Sequence, residues 1–428
     1  MDNFVKKIER FLMPVSEKIG KIFFLQALGQ TMQIILPVYV VGGFATLLAF
    51  IDIGFWQTLL TNVPFLKVMF MTTQSLTLSI VSLYMVLVLP YRYALQLQTK
   101  NPFGVIPINL ACFLLVTPTE LYTNIPSEWL GYKGMFTAMI VSFLVVRVYS
   151  LFMKKGLVIK MPESVPTFVS EAFASLLPAL VIVPVFALIG QLFAMTSLKS
   201  LHQAIYTLIQ LPLQGVGSSF GSYMLYIIVA TMSFFFGIHG MSITSVWSPI
   251  VEANSLQNLD AFSKGLPAIN LFDKGTAATA LIGGMTCTLS VVLVVVLLMK
   301  SKRMREVGKV SLVPGIFNIG EPILFGLPIM LNPVFLIPFF STAVVNGVVS
   351  WVTRAIGFVQ YTGLDPSWTI PMVAKAFFIS QTPVRAAIVQ LGLIIIDAFI
   401  WYPFLKVVDR KYLKEESDSL VIVETKKS

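Results

Sequence analysis

The chain has 428 residues, of which 56% are hydrophobic and 12% are charged, and its Lys and Arg outnumber its Asp and Glu by 30 to 20. A water-soluble surface needs about 25–35% charged side chains, so this composition excludes a soluble enzyme, a DNA-binding protein and a disordered tail protein. Since about 20 apolar residues make one transmembrane helix, the composition predicts an all-α polytopic membrane protein whose Lys and Arg mark cytoplasmic loops.

The first 21 residues predict an amphipathic helix that lies on the inner membrane surface. Apolar residues recur there at helical spacing among four lysines and one arginine, which is the pattern of an interfacial helix. The segment has no small-residue cleavage site, and we therefore do not interpret it as a secretory signal.

Five apolar runs follow within the first 200 residues, and the charges between them indicate their orientation. Positive residues follow the second and fourth runs, whereas the loop after the third carries Glu120 and Glu128 without Lys or Arg. The five runs therefore alternate across the membrane from a cytoplasmic N-terminus. They lie near Met32–Ile51, Met69–Leu89, Phe103–Val116, Met135–Met153 and Phe173–Met195.

The second half is less regular, and its crossings between residues 201 and 274 are not assigned by the sequence. Five Lys and Arg between Met299 and Ser311 place that loop in the cytoplasm, and a charged tail does the same for the C-terminus. We expect about ten spans in all, with both termini inside. The apolar runs of this half are Tyr223–Phe236, Thr276–Met299, Pro333–Val352 and Ala386–Val407.

Two apolar stretches, residues 236–252 and 314–333, are interrupted by Gly and Pro. In a membrane, irregular backbone is tolerated only where it is buried in protein or lines a water-filled cavity. Interrupted apolar segments of this kind are the best sequence indicator of a transporter binding site. Each stretch carries an ionisable side chain among its apolar residues, His239 in the first and Glu321 in the second.

Glu321 is the strongest candidate for a functional residue, because a carboxylate in an apolar membrane segment is costly. When ionised it offers acceptor oxygens and no donor, which suits the hydroxyl donors of a sugar. Asn318 stands beside it in the same stretch and is a further candidate for substrate binding. The alternative is a structural role for Glu321, in a salt bridge or as a helix N-cap.

His239 and Trp368 complete the set of candidate substrate-binding residues. A neutral imidazole both donates and accepts a hydrogen bond, as a hydroxyl does; the alternative is a histidine satisfied within the core. Trp368 lies between Pro366 and Pro371. By itself it is typical of an interfacial aromatic belt, but an aromatic face also suits the C–H groups of a pyranose.

The remaining polar residues favour structural roles. His202 lacks the setting of His239 and is interpreted as a core residue. Asp397, deep in an apolar run, is expected to pair with Arg354 or Arg385. Cys112 and Cys287 lie inside apolar stretches and are expected to be reduced packing residues.

No soluble catalytic motif is present in the sequence. It has no phosphate-binding loop, no nucleophile elbow and no His, Cys and Asp cluster with metal-ligand spacing. The sequence therefore predicts no metal and no cofactor. If transport is energised, the energy must come from another polypeptide or from an ion gradient.

Four segments carry a family resemblance: FGIHG at 236–240, VIKMPESVPTFVSEAFASLLP at 158–178, the stretch 300–339 with its Glu-Pro-Ile-Leu-Phe-Gly sequence, and the ending at 394–416. Over about residues 5–416, the chain resembles the membrane-embedded IIC permease of the bacterial phosphoenolpyruvate-dependent sugar phosphotransferase system. The resemblance is to the lactose, cellobiose and diacetylchitobiose branch of that family.

The resemblance implies an architecture. Residues 1–200 would form a five-span half that makes the contact of a homodimer in the bacterial inner membrane. Residues 201–416 would form the sugar-binding half, with two re-entrant hairpins, and residues 417–428 a cytoplasmic tail. The phosphoryl donor would be a cysteine of a IIB protein, so the chain itself carries no phosphoryl group and would work with separate IIB and IIA partners.

The resemblance also implies roles for single residues. Glu321 and His239 match positions that hydrogen-bond the sugar near the hydroxyl to be phosphorylated, and Glu321 is a candidate base. Trp368 resembles the aromatic residue that stacks on the sugar. The family usually has Asn where this chain has Gly320, which removes an amide and is expected to leave room for a bulkier glycoside.

Three functions remain open at this point. The first is uptake of a β-linked disaccharide or glycoside with phosphorylation at the inner face. The second is ion-coupled secondary transport, with Glu321 or Asp397 carrying a proton. The third is a membrane sugar receptor that does not transport. A phosphate ester as the accumulated sugar supports the first, whereas unmodified sugar whose accumulation an uncoupler abolishes supports the second.

Overall fold

The computed structural model describes residues 22–50, 54–118, 125–162, 164–236, 246–327, 329–364 and 370–425. These residues form helices and turns, with one isolated antiparallel bridge between Tyr361 and Ser380. The all-helical class is therefore confirmed. The predicted amphipathic helix of the first 21 residues lies outside the described part of the chain.

The helices up to residue 217 are α1 Phe23–Phe50, α2 Gly54–Asn62, α3 Pro64–Thr77, α4 Val81–Gln96, α5 Val105–Leu115, α6 Met135–Lys155, α7 Thr167–Ala194, α8 Leu201–Ile205 and α9 Leu211–Gly217. Those that follow are α10 Phe220–Phe235, α11 Ser248–Ser263, α12 Lys274–Ala280, α13 Thr288–Leu298, α14 Lys302–Ile316, α15 Glu321–Gly326, α16 Pro333–Ala355, α17 Met372–Ile379 and α18 Pro383–Thr425.

Many of these helices begin at a polar side chain that accepts a hydrogen bond from a backbone amide of the first turn. Such N-caps satisfy amide groups that have no partner inside the helix. The caps are Ser200, Ser219, Asp273, Ser301 and Asn332.

Six helical segments of the described chain are long and apolar enough to cross a membrane. Two bent helix pairs raise the number to eight if each is one span. One pair is α1, which bends by 47° just after Pro37, where the proline removes a helical hydrogen bond. A multi-pass protein is confirmed, but the predicted count of ten is not. The six segments are Pro64–Gln96, Tyr132–Lys155, Thr167–Ala194, Lys274–Leu298, Pro333–Ala355 and Pro383–Asp418.

The described helices divide into two compact units, the first containing α1 to α9 with α11 and the second containing α10 with α12 to α18. The core of the first unit includes buried polar residues that bind neighbouring helices. Asn109 of α5 donates to the Val86 carbonyl at 2.9 Å and to the Ser142 hydroxyl at 3.0 Å. These bonds hold α4, α5 and α6 together.

His202 belongs to the core of this first unit, as predicted. Its side chain is fully buried and lies 2.9 Å from the Thr117 hydroxyl. The rings of Phe113 and Trp129 pack against it. The two cysteines are also buried and unbridged, which confirms Cys112 and Cys287 as reduced packing residues.

The core of the second unit is an aromatic and aliphatic cluster between α10, α13, α16 and α18. Its largest side chain, Trp401, is fully buried against Phe335 and Phe339. At one end of this unit, carboxylates of α18 bind the start of α14. Asp409 accepts from the backbone amides of Lys300 and Ser301 at 2.9 and 2.8 Å, and it thereby fixes the direction in which α14 leaves α13.

Candidate functional site

The second interrupted stretch of the sequence is a break between two helices. Helix α14 ends at Ile316 and α15 begins at Glu321, with a turn between them in which Asn318 has a positive φ of 63°. Pro322 follows at the start of α15, where a missing amide costs nothing and the fixed φ suits the helix. The structure therefore confirms that this stretch is not a continuous span.

Glu321 lies in the first turn of α15 and its side chain is exposed. Among the described residues it forms no ion pair, and the N-cap of α15 is Gly320 rather than Glu321. The two structural alternatives, a salt bridge and an N-cap, therefore find no support in the described chain. A carboxylate in the first turn is favoured by the helix dipole and keeps its acceptor oxygens accessible.

The Asn318 side chain connects the turn before α15 to a later segment of the second unit. Its side-chain nitrogen donates to the carbonyl of Ile370 at 2.7 Å. Ile370 comes directly after the segment 365–369, which contains Trp368 and lies outside the described residues. The Asn318 amide thus binds the chain at Ile370, which follows Trp368 by two residues in the sequence.

Ile370 belongs to a hairpin whose two limbs are hydrogen-bonded to each other. At its neck, Thr362 donates its amide to the Ile379 carbonyl at 2.8 Å, and Gln381 donates to the Gln360 carbonyl at 2.7 Å. Helix α17 forms the returning limb. The two described limbs of the hairpin are therefore fixed at their neck, and Ile370 at the start of the returning limb is bound to the Asn318 turn.

A third irregular element lies in the run Thr276–Met299, which the sequence predicts as an ordinary span. Helix α12 ends at Ala280, and a π-helical turn separates it from α13. Three residues of that turn have positive φ: Gly283 at 64°, Met285 at 100° and Cys287 at 46°. The predicted apolar run is therefore a candidate span whose helix is broken at this turn. The signal of the break was the Gly283-Gly284 pair, because glycine adopts left-handed backbone at no steric cost.

The broken helix touches both the turn and the hairpin. A Cβ added at Gly320 would lie 2.6 Å from the Thr288 methyl, and one added at Gly283 would lie 3.3 Å from the end of Met372. Thr288 is held in place by a 2.6 Å hydrogen bond to the Gly283 carbonyl. Thr288 thus fills the space that a side chain at position 320 would enter. The extra room expected there for a bulkier glycoside is therefore not present.

His239 falls in the segment 237–245, which lies outside the described residues. The helix that leads into it, α10, ends beside the same site. The Phe235 carbonyl accepts a hydrogen bond of 3.3 Å from the Leu331 amide, and Leu331 lies in the turn that follows α15. The structure thus places Asn318 and Glu321 in one turn and the following helix, whereas His239 and Trp368 lie outside the described residues.

Asp397 does not pair with Arg354 or Arg385, so that expectation is wrong. Asn346 donates to its Oδ2 atom at 2.8 Å, whereas Arg354 forms a buried ion pair with Asp273 at 3.1 Å. Arg354 follows Asn346 by eight residues on α16, which is about 12 Å along a helix axis. Asn346 and Arg354 therefore lie on the same side of α16 but at different positions along its axis.

Comparison with known proteins identifies the family to which the chain is similar. Residues 29–343 match the EIIC family of the phosphotransferase system. The chain is 32% identical to the oligo-beta-mannoside-specific EIIC component of Bacillus subtilis (strain 168), covering 97% of this chain and 96% of that protein. It is 30% identical to the lactose-specific EIICB component of Streptococcus mutans serotype c, covering 98% of this chain and 74% of that protein.

A solved structure agrees with these relatives. The crystal structure of the IIC component from the N,N'-diacetylchitobiose-specific phosphotransferase system matches with a TM-score of 0.90 and 29% identity, over 96% of this chain and 99% of that one. Nothing in these matches supports ion-coupled transport. The chain therefore belongs to the EIIC family, the sugar-specific membrane components of the phosphotransferase system.

Proposed function

We propose that this EIIC protein binds a β-linked disaccharide or β-glycoside and presents it at the cytoplasmic face for phosphorylation by IIB. The observation that carries the proposal is the exposed Glu321 carboxylate, which follows the Asn318 turn. That turn binds Ile370 of the hairpin and packs against Thr288 of the broken helix. Relatives named for oligo-beta-mannoside, lactose and diacetylchitobiose support a β-linked substrate.

Each candidate residue has a role in this proposal. Glu321 accepts a hydrogen bond from the sugar and draws the proton from the attacking hydroxyl. His239 binds a second hydroxyl, and Trp368 stacks on the pyranose face. Asn318, included first as a sugar ligand, is supported better as the residue that holds the hairpin, because its amide nitrogen already binds Ile370.

The proposed arrangement in the membrane keeps about ten spans, with both termini in the cytoplasm of a bacterial cell. Residues 1–200 form the homodimer contact, and residues 201–416 hold the sugar. The closed hairpin between Gln360 and Gln381 is one of the two proposed re-entrant elements, and the stretch 236–252 contains the other. Interrupted helices of this kind are expected at the midplane binding site of a transporter.

The proposed partners are IIB and IIA on separate polypeptides, with IIB docking near α14. Lys302, Arg305 and Lys309 are exposed on that helix, which suits an acidic partner surface. Arg303 packs 4.5 Å above the Tyr412 ring, and Glu416 accepts from the Arg303 amide at 3.0 Å. These contacts with α18 fix the first turn of α14 and so keep its exposed charges in a defined orientation.

The test of this proposal is reconstitution. Purified protein with cellobiose and phosphoenolpyruvate should yield sugar phosphate only when IIB and IIA, with the soluble proteins that charge them, are present. The chain needs IIB because phosphoryl transfer is carried by positioning and a donor group, and we assign no phosphoryl carrier to this chain. Sugar phosphate formed in the absence of IIB would show that the role assigned here is wrong.

A second prediction concerns His239. Replacing it by Ala should weaken sugar binding by about 1–3 kcal/mol, since a buried hydroxyl of the sugar then has no partner. Titration of the purified variant with β-linked disaccharides measures the change. His202→Ala is the matched control, because His202 is buried in the core of the first unit. If the dissociation constant of His239→Ala were unchanged, His239 would be a core histidine and not a sugar ligand.

A further inference from the structure

A buried carboxyl group lies near the broken helix and has no part in the proposed function. Asp397 of α18 is fully buried, and Asn346 of α16 donates to its Oδ2 atom at 2.8 Å. Within the described chain no cation forms an ion pair with it. A carboxyl group in such a place is costly unless it does specific work.

A chain of polar contacts links α18, close to Asp397, to the break between α12 and α13. The Ser290 hydroxyl of α13 donates to the Ile394 carbonyl of α18 at 2.7 Å. It also lies 2.9 Å from the thiol of Cys287, the last residue of the π-helical turn. Ile394 precedes Asp397 by three residues on α18, so these contacts tie the break to the part of α18 that carries Asp397.

A second contact ties the same turn to α16. The Thr286 and Thr342 hydroxyls lie 3.1 Å apart and are buried. Thr342 precedes Asn346 by four residues, so both face the break from adjacent turns of one helix. The break is therefore held between α16 and α18 by side-chain hydrogen bonds.

The backbone of the break needs such support. Met285 and Cys287 have φ values of 100° and 46°, in the left-handed region where the backbone of a residue with a side chain is strained. Residues keep such a conformation only where the surrounding structure imposes it. The hydrogen bonds from α16 and α18 supply that constraint.

The break in turn supports the candidate site. Thr288 follows Cys287 directly, and its methyl group packs against Gly320, the residue before Glu321. Met372 of the hairpin belongs to one buried hydrophobic cluster with Ile282 and Cys287, which lie at the two ends of the turn. A shift of the break would therefore move the backbone that carries Glu321 and the hairpin that Asn318 holds.

We infer that Asp397, together with Asn346, is a positioning residue of the sugar site and acts by fixing the broken helix against which the Glu321 turn packs. The inference rests on the proposed function, because it takes the region around Glu321 to bind sugar. Residues that orient the groups in contact with a ligand commonly change affinity or activity by about 10- to 100-fold when replaced.

The test uses purified full-length variants and two measurements. The first is affinity for cellobiose and β-1,4-mannobiose. The second is the rate at which a small maleimide labels Cys287 in a Cys112→Ala background, where Cys287 is the remaining thiol. Asp397→Leu should weaken sugar binding and speed labelling, each by about 10-fold or more. Asp397→Asn keeps the shape and the acceptor oxygen that Asn346 binds, and both values should stay near those of the parent protein.

Two further variants separate positioning from stability. Asp397→Leu with Asn346→Leu removes both partners, so that no buried amide is left unpaired and folding is preserved; weak sugar binding should persist. Ser350→Ala removes the buried Tyr223–Ser350 hydrogen bond, one turn further along α16 and away from the break. It should change neither sugar affinity nor the labelling rate.

Three outcomes would overturn the inference: unchanged affinity in Asp397→Leu, normal affinity in the double Leu variant, or an Asp397→Asn variant as impaired as Asp397→Leu. The last would assign Asp397 a role for its charge. Both measurements are made without IIB. A failure of IIB-dependent phosphorylation in the parent protein would therefore count against the proposed function and leave this comparison intact.

Discussion

Replacing Glu321 by Gln is expected to slow phosphoryl transfer to bound sugar by about 10²–10⁴-fold, the range for loss of a general base. Glu321 is exposed at the start of α15, and no described cation pairs with it, so its carboxylate is accessible to the attacking hydroxyl. Gln keeps the size and one acceptor oxygen but cannot take up the proton.

Single-turnover transfer from phosphorylated IIB at saturating sugar separates this base role from binding alone. If Glu321 only binds, the Gln variant loses about 1–3 kcal/mol of affinity and turns over bound sugar at full speed. Glu128→Gln is the control, since Glu128 is an exposed carboxylate of the first unit that binds Lys133 at 2.9 Å. It should be unchanged in both respects. Full-speed turnover in Glu321→Gln would leave Glu321 as a binding residue.

Replacing Asp273 by Asn is expected to destabilise the protein by about 3–5 kcal/mol, the range for breaking a buried ion pair from one side. Asp273 and Arg354 are 0% and 1% exposed, with 3.1 Å between the charged atoms. Arg354 also donates to the Asn270 carbonyl at 2.6 Å and lies 5.1 Å from the Tyr361 ring centroid. The substitution leaves this buried cation without its counter-charge.

Thermal or denaturant unfolding of the detergent-purified protein measures this loss. Asp273→Asn combined with Arg354→Met removes the unpaired charge and should recover much of the stability. Lys309→Met, which breaks an exposed pair, should change unfolding little, because exposed ion pairs are screened by water. Unfolding of Asp273→Asn at the parent temperature would show that the pair is not a structural requirement.

The sequence predicts those features that stand out against an apolar background. The membrane class follows from composition, and the break at Glu321 follows from Gly and Pro beside a carboxylate. The apolar runs of the sequence lie on helices, but the run Met69–Leu89 is divided between α3 and α4, and the run Thr276–Met299 is broken at Gly283. That break was missed because Thr286, Cys287 and Thr288 are short polar residues that a helix also accommodates.

Pairings between distant residues could not be read from the sequence. Asp397 binds the neutral Asn346, 51 positions away, although two arginines were available in the sequence. The partner is the α16 side chain that lies at the same level as Asp397 along the packed helices, which is Asn346 and not Arg354. Which side chains share a level follows from how the helices pack, and composition does not reveal it. The close approach of Thr288 to Gly320 likewise depends on packing between distant segments. The sequence suggested that Gly320 leaves free space, whereas in the structure Thr288 packs against it.

We expect this EIIC protein to deliver its sugar to phosphorylation. The chemical state of the accumulated sugar shows whether it does so, in proteoliposomes that contain the protein, phosphoenolpyruvate and the soluble phosphotransferase proteins and are given labelled cellobiose or β-1,4-mannobiose. The accumulated label should be a sugar phosphate ester, and its accumulation should be insensitive to an uncoupler. Unmodified sugar, accumulated only while an ion gradient is maintained, would show that the protein is not the membrane component of phosphorylating uptake.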